Sequence, residues 1–146
     1  MYCRILVPLE NSSYDAGILT HVRELARLCS ASLVLIHVAD GWAARHVNTL
    51  ALRESEEMQR DRAYLDSLCE KLHADGFVAD SILAAGDPAT EITAAAEREK
   101  CDLIAMATHG HRGLQDVIYG TTANTVRHRT MVPVLMVRGV STGAAR

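Results

Sequence analysis

The chain alternates five short apolar runs with four longer segments of helical periodicity, and this alternation limits the folds open to it. The apolar runs are of strand length and are rich enough in aliphatic residues to be buried on both faces. They lie at residues 3–9, 33–38, 78–84, 103–107 and 134–137. The order βαβαβαβαβ predicts a doubly wound α/β fold, a five-stranded parallel sheet with helices on both faces.

Helix boundaries are indicated by capping signals between the apolar runs. Ser12, with Asp15 three residues later, predicts a cap at the start of the first helix. The other helices are expected over about residues 50–74, after Pro88, and from near Thr121 to before Pro133. The charged side chains of the second helix, Asp61 among them, are interpreted as a solvated face. Residues 1–138 form one predicted domain, and residues 139–146 a flexible tail.

Composition excludes several classes of function. The 146 residues are 49% hydrophobic and only 4% aromatic, and the net charge is −3. This balance rules out global disorder, and it argues against a nucleic-acid binder, which needs cationic groups and stacking rings. The charge is uneven: residues 107–146 hold five arginines and Asp116 alone. A small anionic ligand would prefer this part, although Arg127 and Arg129 are interpreted as charges that offset a helix dipole.

Neither a secretory signal nor a membrane span is visible, so a cytoplasmic protein is expected. The four cysteines never form a C-x-x-C pair and fall in apolar surroundings, which indicates reduced structural thiols and no metal site. They are Cys3, Cys29, Cys69 and Cys101.

The segment after the fourth predicted strand, residues 108–120, is longer than a connector needs to be. In a doubly wound fold such loops meet at the carboxyl edge of the sheet, where ligands bind at the switch point. Gly110 and Gly113 allow close backbone approach, and Gly120-Thr121-Thr122 would place amides and hydroxyls at the positive end of a helix. These are the parts of a phosphate cradle. The alternative is that the glycines only turn the chain and a threonine caps the helix.

The same segment resembles the nucleotide loop of the universal stress protein family. That loop has a glycine, two residues, a glycine, nine residues, and a glycine followed by Ser or Thr. Here Ala107 stands at the first glycine position, and Gly110, nine residues and Gly120-Thr121 follow with the same spacing. The resemblance extends over residues 2–138. It is carried further by Ile5-Leu6-Val7-Pro8, His37-Val38, Gly86-Asp87-Pro88-Ala89 and residues 132–137.

This resemblance implies an adenine nucleotide alpha-hydrolase-like, Rossmann-like domain that binds ATP, with Mg²⁺, and acts as a stress-response sensor or regulator. It also implies a homodimer joined through the last strand, Val134 to Val137, and no nucleic-acid or membrane partner. The implied ATP-binding residues are Leu9, Glu10, Val38, Met106, Ala107, Gly110, Gly120, Thr121 and Thr122. Further phosphate contacts are expected from His109, His111, Arg112 and Gly113.

Two departures from the family pattern leave alternatives open. The family usually has Asp at the position of Glu10 and Gly at that of Ala107. One alternative is therefore an interaction module of the same fold without nucleotide binding. Another is a weak ATPase using His109, His111 and Asp116, although no catalytic constellation such as G-x-S-x-G or H-E-x-x-H occurs. In the loop after the second strand, Trp42 and His46 either roof an adenine or pack beneath the loop.

Overall fold

The computed structural model of the chain describes residues 1–40, 47–109 and 114–139. Strands and helices alternate along it as predicted. They are β1 (Arg4–Leu9), α1 (Asp15–Cys29), β2 (Ser32–Asp40), α2 (Val47–Ala74), β3 (Ala79–Gly86), α3 (Pro88–Arg98), β4 (Leu103–His109), α4 (Leu114–Arg129) and β5 (Val134–Gly139). The strands form one parallel sheet in the order β3-β2-β1-β4-β5, which confirms the predicted fold class.

The apolar runs of the central strands β1, β2 and β4 are buried on both faces because the two helix layers pack on opposite sides of the sheet. Ile5 and Val7 of β1 share a cluster with α1 and α2, whereas Leu6 between them packs with α3 and α4. Alternate residues of a strand point to opposite faces, so a strand covered on both sides is apolar throughout. This requirement is the reason for the long aliphatic runs in the sequence.

The strand order places the switch point between β1 and β4. The chain moves outward from β1 through β2 to β3 and then returns to the other side of β1 to form β4 and β5. The connections therefore leave β1 and β4 on opposite faces, and a crevice opens at the carboxyl ends of these strands. The site described below lies there.

Several ends of helices and strands differ from the sequence predictions. Tyr14 is the N-cap of α1, and Ser12 Oγ accepts a bond from the Tyr14 amide at 3.3 Å, so Ser12 is not the cap. Gly139, expected in the tail, is the buried last residue of β5, and residues 140–146 lie outside the described part.

The predicted start of α4 near Thr121 is wrong, because the helix begins at Leu114. Leu114, Val117 and Ile118 have helical spacing, and Gly120 costs a helix only about 1 kcal/mol. The amides of residues 120–122 therefore lie within the helix and not at its first turn. Within the described ranges, no helix is both long and apolar enough to cross a membrane.

Asp87 caps α3, and its removal tests how much this cap contributes. Its carboxylate accepts bonds from the Thr90 amide at 3.0 Å and the Thr90 hydroxyl at 2.7 Å. These bonds hold the pKa of Asp87 below its ordinary value. Asp87→Ala is expected to lower the free energy of unfolding by about 1 kcal/mol at pH 7 in urea titrations.

The pH dependence of this loss follows from the lowered pKa. A carboxyl group with a depressed pKa stabilises the fold above its unfolded value of about 3.9, and the contribution disappears as pH falls through the folded value. The difference between Asp87→Ala and wild type should therefore shrink below about pH 4. Glu70→Ala, at an exposed site within α2, is the control; an equal loss there would contradict a specific cap.

Candidate functional site

A cavity of about 190 Å³ opens at the carboxyl ends of β1, β2 and β4, and we call it the switch-point cavity. It forms because the β1–β4 ladder is short: β1 pairs with β4 at Ile5 and Leu6, and the ladder ends there although both strands continue. Helices α3 and α4 supply the remaining wall. The lining residues are Pro8, Leu9, Glu10, Ile36, His37, Val38, Pro88, Ile92, Met106, Ala107 and Thr122.

Six residues that the sequence predicted to bind ATP line this one cavity. They are Leu9, Glu10, Val38, Met106, Ala107 and Thr122. Gly120 and Thr121 precede Thr122 in α4, and His109 ends β4. Gly110, His111, Arg112 and Gly113 lie outside the described residues, as do Trp42 and His46.

The backbone of Val38 is turned toward the cavity by the alternation of the parallel ladder. The Ser32 amide donates to the carbonyl of Cys3, the residue before β1, and the Leu33 amide donates to the Val78 carbonyl on the β3 side, both at 2.9 Å. Because this alternation continues along β2, the backbone amide and carbonyl of Val38 face the β1 side. Because β1 ends at Leu9, opposite His37, the Val38 carbonyl lies just beyond the β1–β2 ladder, at the edge of the cavity.

The turn after β1 is organised by the buried carboxylate of Asp15. Its side chain accepts bonds from the Glu10 amide at 2.9 Å, the Ser12 amide at 3.3 Å and the Tyr64 hydroxyl at 2.8 Å. Between the two amides, Asn11 has a φ of 58°, in the left-handed region. These contacts fix the direction in which Glu10 leaves β1.

A second polar contact joins α2 to the same turn. Asp61 Oδ1 accepts a bond from Asn11 Nδ2 at 2.5 Å, and Asp61 Oδ2 lies 3.5 Å from His37 Nε2. His37 Nδ1 lies 2.9 Å from the Leu9 carbonyl, which can only accept, so this nitrogen carries a proton. The interpretation of Asp61 as solvated is wrong, since its side chain is only 16% exposed.

The cavity is mainly apolar and carries little charge. Among its described lining residues, Glu10 is the only one with an acidic or permanently cationic side chain. In the described part of the chain, no group of three His, Cys, Asp or Glu side chains could hold a metal ion. Such a site suits a flat, largely uncharged group bound through its faces and its edge.

The fold and the cavity place the chain among doubly wound α/β domains with a ligand crevice at the switch point. Comparison with known proteins identifies the family within this class. The universal stress protein family profile matches residues 1–138. The chain is 26% identical to universal stress protein MJ0577 of Methanocaldococcus jannaschii, a likeness that covers 94% of this chain and 96% of the relative. The chain therefore belongs to the universal stress protein family.

Solved structures agree with this assignment. The structure of MJ0577 has a TM-score of 0.83 at 27% identity and covers 94% of this chain and 96% of its own. The universal stress protein from Archaeoglobus fulgidus in complex with dAMP has a TM-score of 0.66 at 18% identity, covering 94% and 98%. A universal stress protein in complex with cAMP has a TM-score of 0.68 at 18% identity, covering 94% and 97%. At 18% identity, these last two likenesses show the fold alone.

The Tyr64–Asp15 hydrogen bond generates a prediction about stability at alkaline pH. Burial, together with the negative charge of Asp15, raises the pKa of Tyr64 well above its ordinary value. A hydrogen bond to a charged group contributes about 1.5–3 kcal/mol, so Tyr64→Phe should lower the free energy of unfolding by about that amount at pH 7.

Because the pKa of Tyr64 is raised on folding, its contribution is present below the unfolded value of about 10 and is lost as pH rises further. The difference between wild type and Tyr64→Phe should therefore shrink above about pH 10 in urea titrations. Tyr2→Phe removes a phenol at the opposite end of β1 and serves as the control. The same alkaline change in both variants would contradict the assignment.

Proposed function

We propose that this chain binds an adenine nucleotide, ATP above all, in the switch-point cavity and acts as a cytoplasmic sensor or regulator of the stress response. The observation that supports this proposal most directly is the position of the Val38 carbonyl, which lies at the edge of the mainly apolar switch-point cavity. Two structural relatives are known in complex with dAMP and cAMP, which supports adenine nucleotides as the ligand class.

The cavity suits the base and the sugar rather than a whole nucleotide. Ligand pockets that enclose drug-sized molecules usually measure about 300–1,000 Å³, whereas this one measures about 190 Å³. The side chains of Ile36, Ile92 and Met106 offer apolar surface to the faces of a ring. The Val38 carbonyl would accept a hydrogen bond from the adenine amino group, which is a donor.

The ribose and the phosphates of the nucleotide would extend out of the cavity past the side chains of Glu10 and Thr122. Glu10, at the rim, would accept hydrogen bonds from ribose hydroxyls, and Thr122 leads toward the phosphates. The phosphates would then meet Gly110, Gly120 and Thr121, with His109, His111, Arg112 and Gly113 close by. Any Mg²⁺ would be held largely by the phosphates, as Mg²⁺ usually is in nucleotide sites.

Glu10 provides the direct test of the ribose contact. A charge-assisted hydrogen bond contributes about 1.5–3 kcal/mol, so Glu10→Gln should weaken ATP binding by about tenfold or more in titration calorimetry. Glu10→Asp retains the charge one methylene closer to the backbone and should bind ATP more tightly than Glu10→Gln. Glu70→Gln, on the exposed surface of α2, is the matched control.

The outcome separates the proposed function from its alternatives. A wild-type chain freed of bound ligand that shows no heat of ATP binding at millimolar concentration, and no rise in melting temperature, would be an interaction module instead. Release of phosphate that is lost in His109→Ala and His111→Ala would favour the weak ATPase. Binding without turnover supports the sensor.

We also propose that two copies pair through β5, and the ladder geometry supports this. The Ile104 amide donates to the Pro133 carbonyl at 3.0 Å, so Pro133 faces β4. By alternation the backbone groups of Leu135 face β4, while those of Met136 face outward along the edge of the sheet. A dyad through this edge would pair the strands of two copies antiparallel, and Met136 is already 41% exposed.

Proline at position 136 tests the homodimer without removing a β4–β5 hydrogen bond. Met136→Pro eliminates an amide that faces outward, which an edge strand tolerates. The variant should be monomeric in sedimentation velocity and should retain its far-UV circular dichroism. Met136→Lys should act in the same direction by placing charge on the edge. A dimer of unchanged affinity in both variants would place the interface elsewhere.

A further inference from the structure

Asp15 is a charged residue placed almost wholly out of solvent. It is 2% exposed, and it lies at the first residue of α1, beside the carboxyl end of β1. A buried carboxylate is costly unless hydrogen bonds replace its water. Here the donors are the Glu10 amide, the Ser12 amide and the Tyr64 hydroxyl, so both main-chain donors come from the turn that carries Glu10.

The two amides bracket the one residue of this turn that has a positive φ. Asn11, at φ 58°, directs the chain away from β1, and a non-glycine residue keeps such a conformation only where its surroundings hold it. Asp15 bonds the residue on each side of Asn11, and Asp61 bonds the Asn11 side chain. Helix α2 takes part through Asp61 and Tyr64, which are three residues apart and so share a helix face.

We infer that Asp15 is a positioning residue for the nucleotide site: with Tyr64 on α2 it holds the Glu10–Ser12 turn so that the Glu10 carboxylate meets the ligand at the cavity rim. This inference rests on the proposed nucleotide binding and deepens it. Asp15 does not line the cavity, and its hydrogen bonds reach the ligand site through the turn.

The chemistry of the side chain makes the inference testable with a nearly isosteric change. Asp15→Asn replaces one acceptor oxygen by an NH₂ donor, which must face either the Glu10 amide at the Oδ1 position or the Ser12 amide and the Tyr64 hydroxyl at the Oδ2 position. At least one of the three bonds is then lost, and the turn gains freedom before the ligand binds. A ligand that has to order the turn binds more weakly, and we expect a loss of about tenfold in ATP affinity.

The chain offers a matched control at the opposite end of β1. The Asp102 carboxylate also accepts two main-chain amides, from Cys3 at 2.8 Å and from Arg4 at 3.0 Å. Asp102→Asn therefore makes the same chemical change on the same strand, far from the cavity. It should affect stability while leaving ATP affinity within about twofold of wild type.

Two measurements on the full chain separate positioning from general destabilisation. Amide hydrogen exchange without nucleotide should accelerate at Glu10 and Ser12 in Asp15→Asn, and at Cys3 and Arg4 in Asp102→Asn. Titration calorimetry with ATP should give a loss in Asp15→Asn that falls to about twofold when Glu10→Gln is already present, because Asp15 acts through Glu10. Tyr64→Phe removes one donor and retains the Asp15 carboxylate, so it should give a smaller loss of ATP affinity. It replaces Asp15→Asn in the test if that variant does not fold.

Three kinds of result would overturn either the positioning role of Asp15 or the proposed nucleotide binding. Equal affinity losses in Asp15→Asn and Asp102→Asn, or full additivity with Glu10→Gln, would overturn the positioning role. Unchanged exchange at both Glu10 and Ser12 in Asp15→Asn would overturn it without reference to any ligand. A wild-type chain that binds no adenine nucleotide would overturn the proposed function, and the exchange data would still report whether Asp15 holds the turn.

Discussion

The site depends on a mismatch in the lengths of the parallel ladders around β1. On one side, β1 pairs with β2 from Arg4 to Leu9, and on the other it pairs with β4 at Ile5 and Leu6. Toward their carboxyl ends β1 and β4 therefore separate, and β2 continues past the end of β1. The opened sheet exposes main-chain groups of β2 that a complete ladder would have used, and these groups give the cavity its polar edge.

The sequence predicts the sheet from local patterns, and it predicts six of the eleven residues that line the cavity through the family resemblance. Strands buried on both faces must be apolar throughout, so Ile5, Leu6 and Val7 mark a central strand. The start of α4 could not be predicted in this way, since glycines and threonines fit either a loop or a helix. Here the apolar spacing from Leu114 favours the helix over the turn signals that follow it.

The polar cluster beneath the cavity rim escaped prediction for a different reason. In the sequence, local spacing identifies Asp15 only as a capping partner and Asp61 only as a surface charge. Their partners are distant in sequence, since Tyr64 is 49 positions from Asp15 and Asn11 is 50 from Asp61. Periodicity reports which face of a helix is apolar, but no local rule reports that a charge at its margin reaches a turn on another element.

The distribution of charge constrains how a nucleotide would lie. Part of the basic excess near the C-terminus is engaged within the fold: Arg129 bonds Thr90 beside Asp87, and Arg127 bonds Asn124. Among the described residues that line the cavity, Glu10 is acidic and none is permanently cationic. A triphosphate directed inward would lose its water without meeting a counter-charge, which is costly. The uncharged base is therefore favoured inside the cavity, and the phosphates are favoured outside it, where solvent and neutral main-chain donors can stabilise them.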